Sequence, residues 1–543
     1  MGPGFNAMNR VTVQQTSQGL AAYLEQQLAP DLLSKHGVVI GYDGRHQSRT
    51  FAHLAAAVFL QRGMRVHLFS DLVPTPWVAA GVAELGAAAG VMITASHNPK
   101  QDNGYKVYWS NGCQIIPPHD HGIATAITAH LPLWRLPSPE ELAMHPLLTD
   151  PTTLVSQAYS RRLAAGVRSQ PLAVNAAAQP VTYTPLHGVG LRPLLQAFQV
   201  MGLPPPHVVP DQAQPDPDFP TLLFPNPEEG AGTWAMAWEE GRRLGSRLVI
   251  ANDPDADRLA AAERDPSQAG GWRAFTGNEL GALLAHWLWQ QHRAQHPEVP
   301  ADRCVMLSSV VSSRFLGLMA AAEGFRFEQT LTGFKWLGSR ALQLEEEEGL
   351  KVLLAYEEAI GFMLGAMYRD KDGIAAAAAL CEMANCLYAQ GSSLALELER
   401  LYVRYGCSAC RSTYFLSDRP DKTRAVFDRL RQGGHYAQAI GGQGVRCVRD
   451  LGVGLDTLQP GGQVLLPWQP GDMMISYELE GGQPGQAALL TVRASGTEPK
   501  LKVYLEVIGG DVAVANSLAD RLLMAVEEDI IRPEHSGLAK REK

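Results

Sequence analysis

Three short stretches of this chain gather residues able to hold or move a charged group. The first is TASHNPKQDNGYKVY, residues 94–108, which follows the apolar run Val91, Met92 and Ile93 and breaks at Asn98-Pro99. The run reads as a buried strand, so Ser96 is expected on a loop at the carboxyl end of a parallel strand, where open α/β sheets collect their ligands. A serine hydroxyl is a weak nucleophile that needs a base, a metal or a preloaded group. His97, Lys100 and Lys106 follow closely enough in sequence to stabilise an anion there. The second stretch, ANDPDADRL, sets Asp253, Asp255 and Asp257 two residues apart after the apolar strand RLVI. In an extended chain alternate side chains share a face, so the three carboxylates are expected to converge. They would repel one another without a hard cation such as Mg²⁺, which takes oxygen ligands and keeps positions open for phosphate. An EF-hand loop also begins with alternating acids, but its Gly at position 6 and Glu at position 12 are here Arg258 and Arg264. Arg258 could bind the same phosphate as the metal. The third stretch, RASGTEPKLKVY, offers the Arg493 guanidinium, the Ser495 and Thr497 hydroxyls, the flexible Gly496 backbone, and Lys500 and Lys502, a set suited to one oxyanion.

Between these lie LTGFKW (331–336), AYEEAIG (355–361) and YRDKDG (368–373). Glu357 and Glu358 follow the apolar run KVLLA, so they sit at a strand end where carboxylates can accept sugar hydroxyl protons. Lys371 lies between two aspartates and could shuttle a proton if a metal or another cation lowered its pKa. The acidic run Glu345 to Glu348 reads as a solvated helix face.

Elements must carry these residues to one place. At 543 residues the chain exceeds the ~250–300 at which one core stops growing, so several domains are expected. Short apolar runs followed by helix-like text recur at GVVIGYD (37–43), VHLFSD (66–71), AAGVMIT (88–94), VTYTPL (181–186), RLVIAND (247–253) and RCVMLSSVV (303–311). That alternation predicts α/β units with mainly parallel strands. Proline-rich or polar stretches near 131–142 and 290–303 separate the units, and beyond about residue 410 the texture becomes strand-rich, an α+β pattern. The expected domains are 1–165 with the serine loop, 166–298 with the aspartate loop, 299–409 with the two-glutamate loop and 410–543 with the Ser-Gly-Thr loop.

A formal charge of −9 excludes a general basic field for nucleic acid or anionic membrane. Seven scattered cysteines argue against a disulfide framework, and Cys407 and Cys410 read as two buried thiols. The first residues lack the charged-then-apolar pattern of a signal peptide, and no apolar run nears ~18 residues, so a cytoplasmic, soluble protein is expected.

Taken in order, TASHNPKQDNGYKVY, NDPDADR, GFK, the two-glutamate loop and RASGTEPK resemble the α-D-phosphohexomutase superfamily over nearly the whole chain. NPKQDNGYKVYW, TPLHGVG (184–190), FPNPEEG (224–230), GNELGALL (277–284) and TLTGFKW (330–336) are most similar to its eukaryotic phosphoglucomutase-2 group, which acts on phosphopentoses and phosphoglucose and is related to glucose 1,6-bisphosphate synthase. The resemblance implies four domains around a central cleft, three similar α/β domains and a C-terminal α+β one. It makes Ser96 the residue phosphorylated in the resting enzyme, with His97 and Arg45 beside it. One Mg²⁺ per chain would be held by Asp253, Asp255, Asp257 and a phosphoserine oxygen of Ser96. Lys371 would be the general acid/base. Substrate would meet Lys106, Arg258, Gly333, Phe334, Lys335, Glu357 and Glu358, with Arg493, Ser495, Gly496, Thr497 and Lys502 gripping the phosphate not in transfer.

The implied activity is a mutase interconverting ribose or deoxyribose 1- and 5-phosphate, and glucose 1- and 6-phosphate, through a bisphosphate. Glucose 1,6-bisphosphate or another sugar bisphosphate would be the activator, and a monomer is expected. Two alternatives stand beside it: a glucose 1,6-bisphosphate synthase using 1,3-bisphosphoglycerate, and a catalytically weak sugar-phosphate-binding protein. Hexose-specific relatives often carry Glu-x-Ser in the sugar-reading loop, where this chain has Ala359, one hydroxyl fewer. Members also open with a segment resembling GTAGLR, whereas this chain starts at MGPGFNAMN; a chain lacking the segment is expected to have an exposed sheet edge and a weakened cleft.

Overall fold

The structure, a computed structural model, describes all residues except 1–3, 5–6, 230, 366, 484, 497–498 and 541–543. It contains two compact units, Met1–Leu307 with Thr332–Ala395, and Ser308–Leu331 with Leu396–Lys543.

The first unit is built on three sheets. Strands β1 (Val38–Tyr42), β2 (Val66–Leu68), β3 (Ala89–Ile93), β4 (Tyr105–Trp109) and β5 (Leu148–Thr149) lie in the order β4-β3-β1-β2-β5. β1 and β3 are buried along their whole length, which explains their unbroken apolar text. Strands β6 (Thr182–Thr184), β7 (His207–Val208), β8 (Leu248–Ala251), β9 (Ala260–Arg264) and β10 (Trp272–Ala274) form the second sheet, ordered β10-β9-β8-β6-β7. In the third, β11 (Cys304–Ser309) lies beside β12 (Lys351–Glu357), which pairs with β13 (Gly361–Leu364).

The expected parallel strands are present, three of the four ladders of the first sheet being parallel, but each of the three sheets also contains an antiparallel return. β3–β4, β8–β9, β9–β10 and β12–β13 are antiparallel, beside parallel ladders such as β1–β3 and β6–β8. The reason is local: a strand can return antiparallel through a short connection, whereas a parallel partner needs a long crossover. Each of the serine, aspartate and glutamate loops is such a connection at a sheet's carboxyl end. β4 in particular is a strand that the polar text of 94–108 conceals, and it places Lys106 opposite Met92 rather than within the loop.

The second unit is α+β. Strands Ser408–Leu416, Gln443–Asp450, Met474–Glu480, Ala487–Ala494 and Lys500–Ile508 form an antiparallel sheet with helices Pro420–Arg431 and Val512–Ala525. Phe415, Phe427, Tyr477, Leu490, Val503 and Leu522 lie in its core. Glu506 binds the segment Ser308–Leu331 within this unit, accepting the Arg314 backbone N–H at 2.9 Å.

Candidate active site

The serine loop leaves β3 under restraint. Ser96 has φ 53°, a left-handed conformation unusual for a residue with a Cβ, and its N–H donates to Thr94 Oγ1 at 2.9 Å. Its hydroxyl donates to Asp253 Oδ2 at 2.8 Å, with His97 Nδ1 at 3.4 Å. Arg45 holds the loop from beneath. Its side chain is 1% exposed, and its guanidinium donates to the carbonyls of Ser96 (2.6 Å), Asn98 (2.7 Å), Pro99 (2.8 Å) and Asp102 (3.3 Å), with Asp43 3.2 Å from Nε. The resemblance puts Arg45 near the phosphoserine; the structure commits its guanidinium to the loop's backbone. Burial pushes the Asp43 carboxyl up, against the pull of Arg45.

The aspartate loop follows β8. The three carboxylates do converge, but not on an extended strand. Ala256 has φ 56°, and its N–H closes a turn onto the Asp253 carbonyl at 2.9 Å. Gly188 of TPLHGVG packs so closely that a Cβ there would meet Pro254 Cα at 2.4 Å. Asn252 fastens the turn's far side, donating to the Arg258 carbonyl at 2.6 Å and accepting from the Tyr183 hydroxyl at 2.9 Å. Asp253, Asp255 and Asp257 are fully buried, with ligand oxygens all within 4.8 Å of one another. Lys106 reaches across from β4 to Asp255 (2.8 Å) and Asp257 (2.9 Å), and Lys371 Nζ is 2.8 Å from Asp257. The Thr75 hydroxyl donates to Asp255 at 2.6 Å.

Burial and the two neighbouring carboxylates drive Asp253 well above the usual carboxylate range. Burial also raises Asp255, but Lys106, Thr75 and Lys371 together outweigh it and leave that carboxyl below its ordinary value. Asp255 Oδ1 and Asp257 Oδ1 are buried without a hydrogen-bond partner. Clustered hard oxygens with unused lone pairs fit a divalent cation that prefers oxygen ligands. Arg258 donates its N–H to Asp253 Oδ1 at 3.0 Å, but its guanidinium turns to Glu228 at 3.0 Å, with Asp253 and Asp257 near 3.8 and 3.9 Å.

The glutamate loop meets the aspartate loop directly. Arg258 and Gly361 form an antiparallel bridge, and the Leu259 N–H donates to the Ile360 carbonyl at 3.0 Å. Glu357, at the end of β12, accepts the Gly333 N–H at 2.6 Å, and burial raises its carboxyl. Glu358 and Ala359 follow it, partly buried. Phe334 opens the helix Phe334–Glu346 and is only 3% exposed, its ring lying 5.8 Å from Lys371 Nζ. Lys335 Nζ lies 5.3 Å over the Trp336 ring.

Neither acid flanking Lys371 in sequence pairs with its amine, which reaches Asp257, although Asp370 accepts its backbone N–H at 2.8 Å. Asp370 accepts from Tyr108 and Gln114, and Asp372 caps the helix Gly373–Ala389 while accepting from Tyr159. Nor is its pKa lowered here: burial lowers it, Asp257 raises it, and the balance is raised. The acidic run is not wholly a solvated face either, because Glu345 pairs with Arg369 and Glu348 with Arg340.

In the second unit, the antiparallel strands Ala487–Ala494 and Lys500–Ile508 flank the stretch that the sequence offers as an anion site. Arg493 and Lys502 are directly opposite on neighbouring strands, a like-charge pair that an anion would relieve. The Ser495 N–H donates to the Lys500 carbonyl at 2.8 Å, and among the described residues nothing approaches within 4 Å of a Cβ built at Gly496. Thr497 lies outside the described residues. Sequence reasoning missed Thr75, which carries no signal of its own, and gave no role to Tyr108 and Asn252, which stood in the serine and aspartate motifs. Glu228 stood in the FPNPEEG motif, without a role.

A partly buried serine bonded to a buried acidic triad, with lysines converging at the carboxyl ends of neighbouring sheets, defines an α/β enzyme of phosphoryl transfer. Residues 3–132, 157–270 and 276–405 match domains I, II and III, respectively, of phosphoglucomutase/phosphomannomutase. Human phosphopentomutase is 42% identical over 99% of this chain and 89% of its own length. Human glucose 1,6-bisphosphate synthase is 39% identical over 99% and 87%. Saccharomyces cerevisiae phosphoribomutase is 38% identical over 99% and 89%. Among solved structures, the Paramecium phosphoglucomutase parafusin superposes with TM-score 0.63 at 16% identity, covering 96% of this chain and 92% of that one. The chain belongs to the phosphoglucomutase/phosphomannomutase family of the α-D-phosphohexomutase superfamily and is a phosphosugar mutase. Among the described residues no helix is long and apolar enough to cross a membrane.

Proposed function

We propose that this mutase interconverts ribose or deoxyribose 1- and 5-phosphate, and glucose 1- and 6-phosphate less well, with phospho-Ser96 as the relay. The observation that carries the reading is the Ser96 hydroxyl 2.8 Å from Asp253 at the edge of a buried carboxylate triad with two unpartnered oxygens. The pentose preference rests on the phosphopentomutase and phosphoribomutase relatives and on Ala359, which offers no hydroxyl to a hexose.

In the first half-reaction the P–O bond to Ser96 breaks as a P–O bond forms to the free hydroxyl of a sugar monophosphate. The hydroxyl's proton passes through Lys371 to the Ser96 oxygen, so atoms and charge balance. The bisphosphate turns over, and its other phosphoryl group returns to Ser96 by the reverse step. Asp253, Asp255, Asp257 and an oxygen of phosphorylated Ser96 would hold one Mg²⁺, which would supply positive charge against the phosphoryl oxygens. Glu357 reads sugar hydroxyls beside Glu358, Gly333 and Lys335, and Lys106 and Arg258 offset phosphate charge. Arg493, Ser495, Gly496, Thr497 and Lys502 grip the phosphate not in transfer. A sugar bisphosphate restores phospho-Ser96 when an intermediate escapes. The enzyme works as a cytoplasmic monomer without nucleic-acid or membrane partners; the seven cysteines, all free thiols, support a reducing compartment.

The test is a Mg²⁺-dependent assay with ribose 1-phosphate and glucose 1-phosphate side by side, primed with glucose 1,6-bisphosphate. Pentose turnover should exceed hexose turnover, and Ser96→Ala should abolish both. Turnover surviving in Ser96→Ala would overturn the relay. The 39% identical synthases support one rival: bisphosphate formation from 1,3-bisphosphoglycerate without mutase turnover would establish it instead.

A further inference from the structure

Lys371 is fixed less by its own loop than by the first sheet. Asp370, the residue before it, is 1% exposed and makes three hydrogen bonds: Oδ2 accepts the Tyr108 hydroxyl at 2.6 Å and the Gln114 amide at 2.8 Å, and Oδ1 accepts the backbone N–H of Lys371 at 2.8 Å. Tyr108 is fully buried on β4, two residues beyond Lys106. Residues two apart on a strand project to the same face, and here Lys106 reaches Asp255 and Asp257 while Tyr108 reaches Asp370. Lys371 Nζ returns to Asp257, closing a ring that runs from β4 through Lys106, Asp257, Lys371 and Asp370 to Tyr108 and back to β4.

We propose that Tyr108 and Asp370 are positioning residues for the proton-transferring amine, so that the sheet bearing Ser96 also sets where Lys371 stands. Neither residue is needed to touch the sugar. The bond is secure as a donor contact, because burial and the Asp370 carboxylate drive the phenol well above its ordinary value and keep its proton in place. Removing the hydroxyl leaves a buried carboxylate oxygen with only the Gln114 amide, so the carboxylate and the Lys371 backbone attached to it can shift. Displacements of about 1 Å at a reacting group cost up to ~100-fold in rate.

The inference rests on Lys371 being the acid/base, and the experiment separates the two. Tyr108→Phe, Asp370→Asn and Lys371→Met are made singly, and Tyr108→Phe is combined with Lys371→Met, all assayed for kcat and KM on ribose 1-phosphate. Tyr108→Phe should lower kcat by 10-fold or more with KM within about two-fold, and Asp370→Asn should do the same. In the Lys371→Met background Tyr108→Phe should have no further effect on kcat, whereas a merely structural role would depress both backgrounds equally. Thermal midpoints of all variants tell loss of fold from loss of position. A Tyr108→Phe enzyme with normal kcat, or an equal loss in both backgrounds, overturns the proposal. Lys371→Met with unimpaired kcat overturns the acid/base reading instead.

Discussion

Arg45 shows how one side chain can govern a catalytic loop without touching its chemistry. A guanidinium carries five donors in a rigid fork, and here it spans carbonyls from Ser96 to Asp102. Ser96 sits in a left-handed conformation that costs about 1–3 kcal/mol, and the clamp keeps it there. Arg45→Lys preserves charge but replaces the fork with one nitrogen. At roughly 1.5–3 kcal/mol for each hydrogen bond to a charged group, it should loosen the loop by several kcal/mol. We expect at least a ten-fold fall in kcat, and faster amide hydrogen exchange confined to residues 96–102. Unchanged exchange there would show that the clamp does not order the loop. Residue identity made Ser96 and the three aspartates readable from sequence, because their types and spacing are themselves the signal. It could not show that Arg45 clamps the loop's carbonyls, since carbonyls and phosphate take the same donors.

Among the elements, β4 and the aspartate loop were misread for one physical reason. Periodicity reports burial, and neither an edge strand without alternation nor a tight turn has a burial period of its own. Tyr105 to Trp109 alternate too weakly in burial to stand out, and the aspartates converge through a turn at Ala256 instead of by strand alternation. Asp372 was legible only as a charged neighbour of Lys371, yet it is the N-cap of Gly373–Ala389, accepting the N–H groups of Ile374 and Ala375 at 3.0 and 2.9 Å. Burial lifts its carboxyl to about 6 from the usual 3.8, with the cap amides and Tyr159 pulling it back. The folded protein therefore holds this proton more tightly than the unfolded chain. The resulting stability is complete below pH 3.8 and is lost as pH rises through 6. The loss amounts to about 3 kcal/mol. Asp372→Asn keeps a cap acceptor and cannot ionise. Thermal midpoints measured between pH 4 and 7 should fall less steeply in the variant than in the parent; equal slopes would mean that this carboxyl does not titrate as argued.

At the scale of the whole molecule, the order of three α/β blocks and a strand-rich end was readable because each block repeats the same strand-then-helix period. The return of Ser308–Leu331 to the C-terminal unit was not, since that segment reads as ordinary strand-and-helix text and only contacts such as Glu506 with Arg314 assign it. The division has a thermodynamic consequence. Every acidic ligand of the triad, together with Ser96, Lys106 and Lys371, lies in the unit Met1–Leu307 with Thr332–Ala395. A ligand that binds only the folded state adds RT ln(1 + [L]/Kd) to its stability, about 2.7 kcal/mol at a hundred-fold excess over Kd. Mg²⁺ should therefore raise the unfolding temperature of that unit by a few degrees and slow amide exchange at residues 94–98 and 252–258. Exchange in the strands Ala487–Ala494 and Lys500–Ile508 should stay unchanged. Asp255→Asn should remove most of the shift while retaining the contact with Thr75, since an amide oxygen accepts that hydroxyl as a carboxylate does. Equal protection of both units by Mg²⁺ would place its binding elsewhere than the triad, and no protection of either would show that the three carboxylates are neutralised by Lys106 and Lys371 alone.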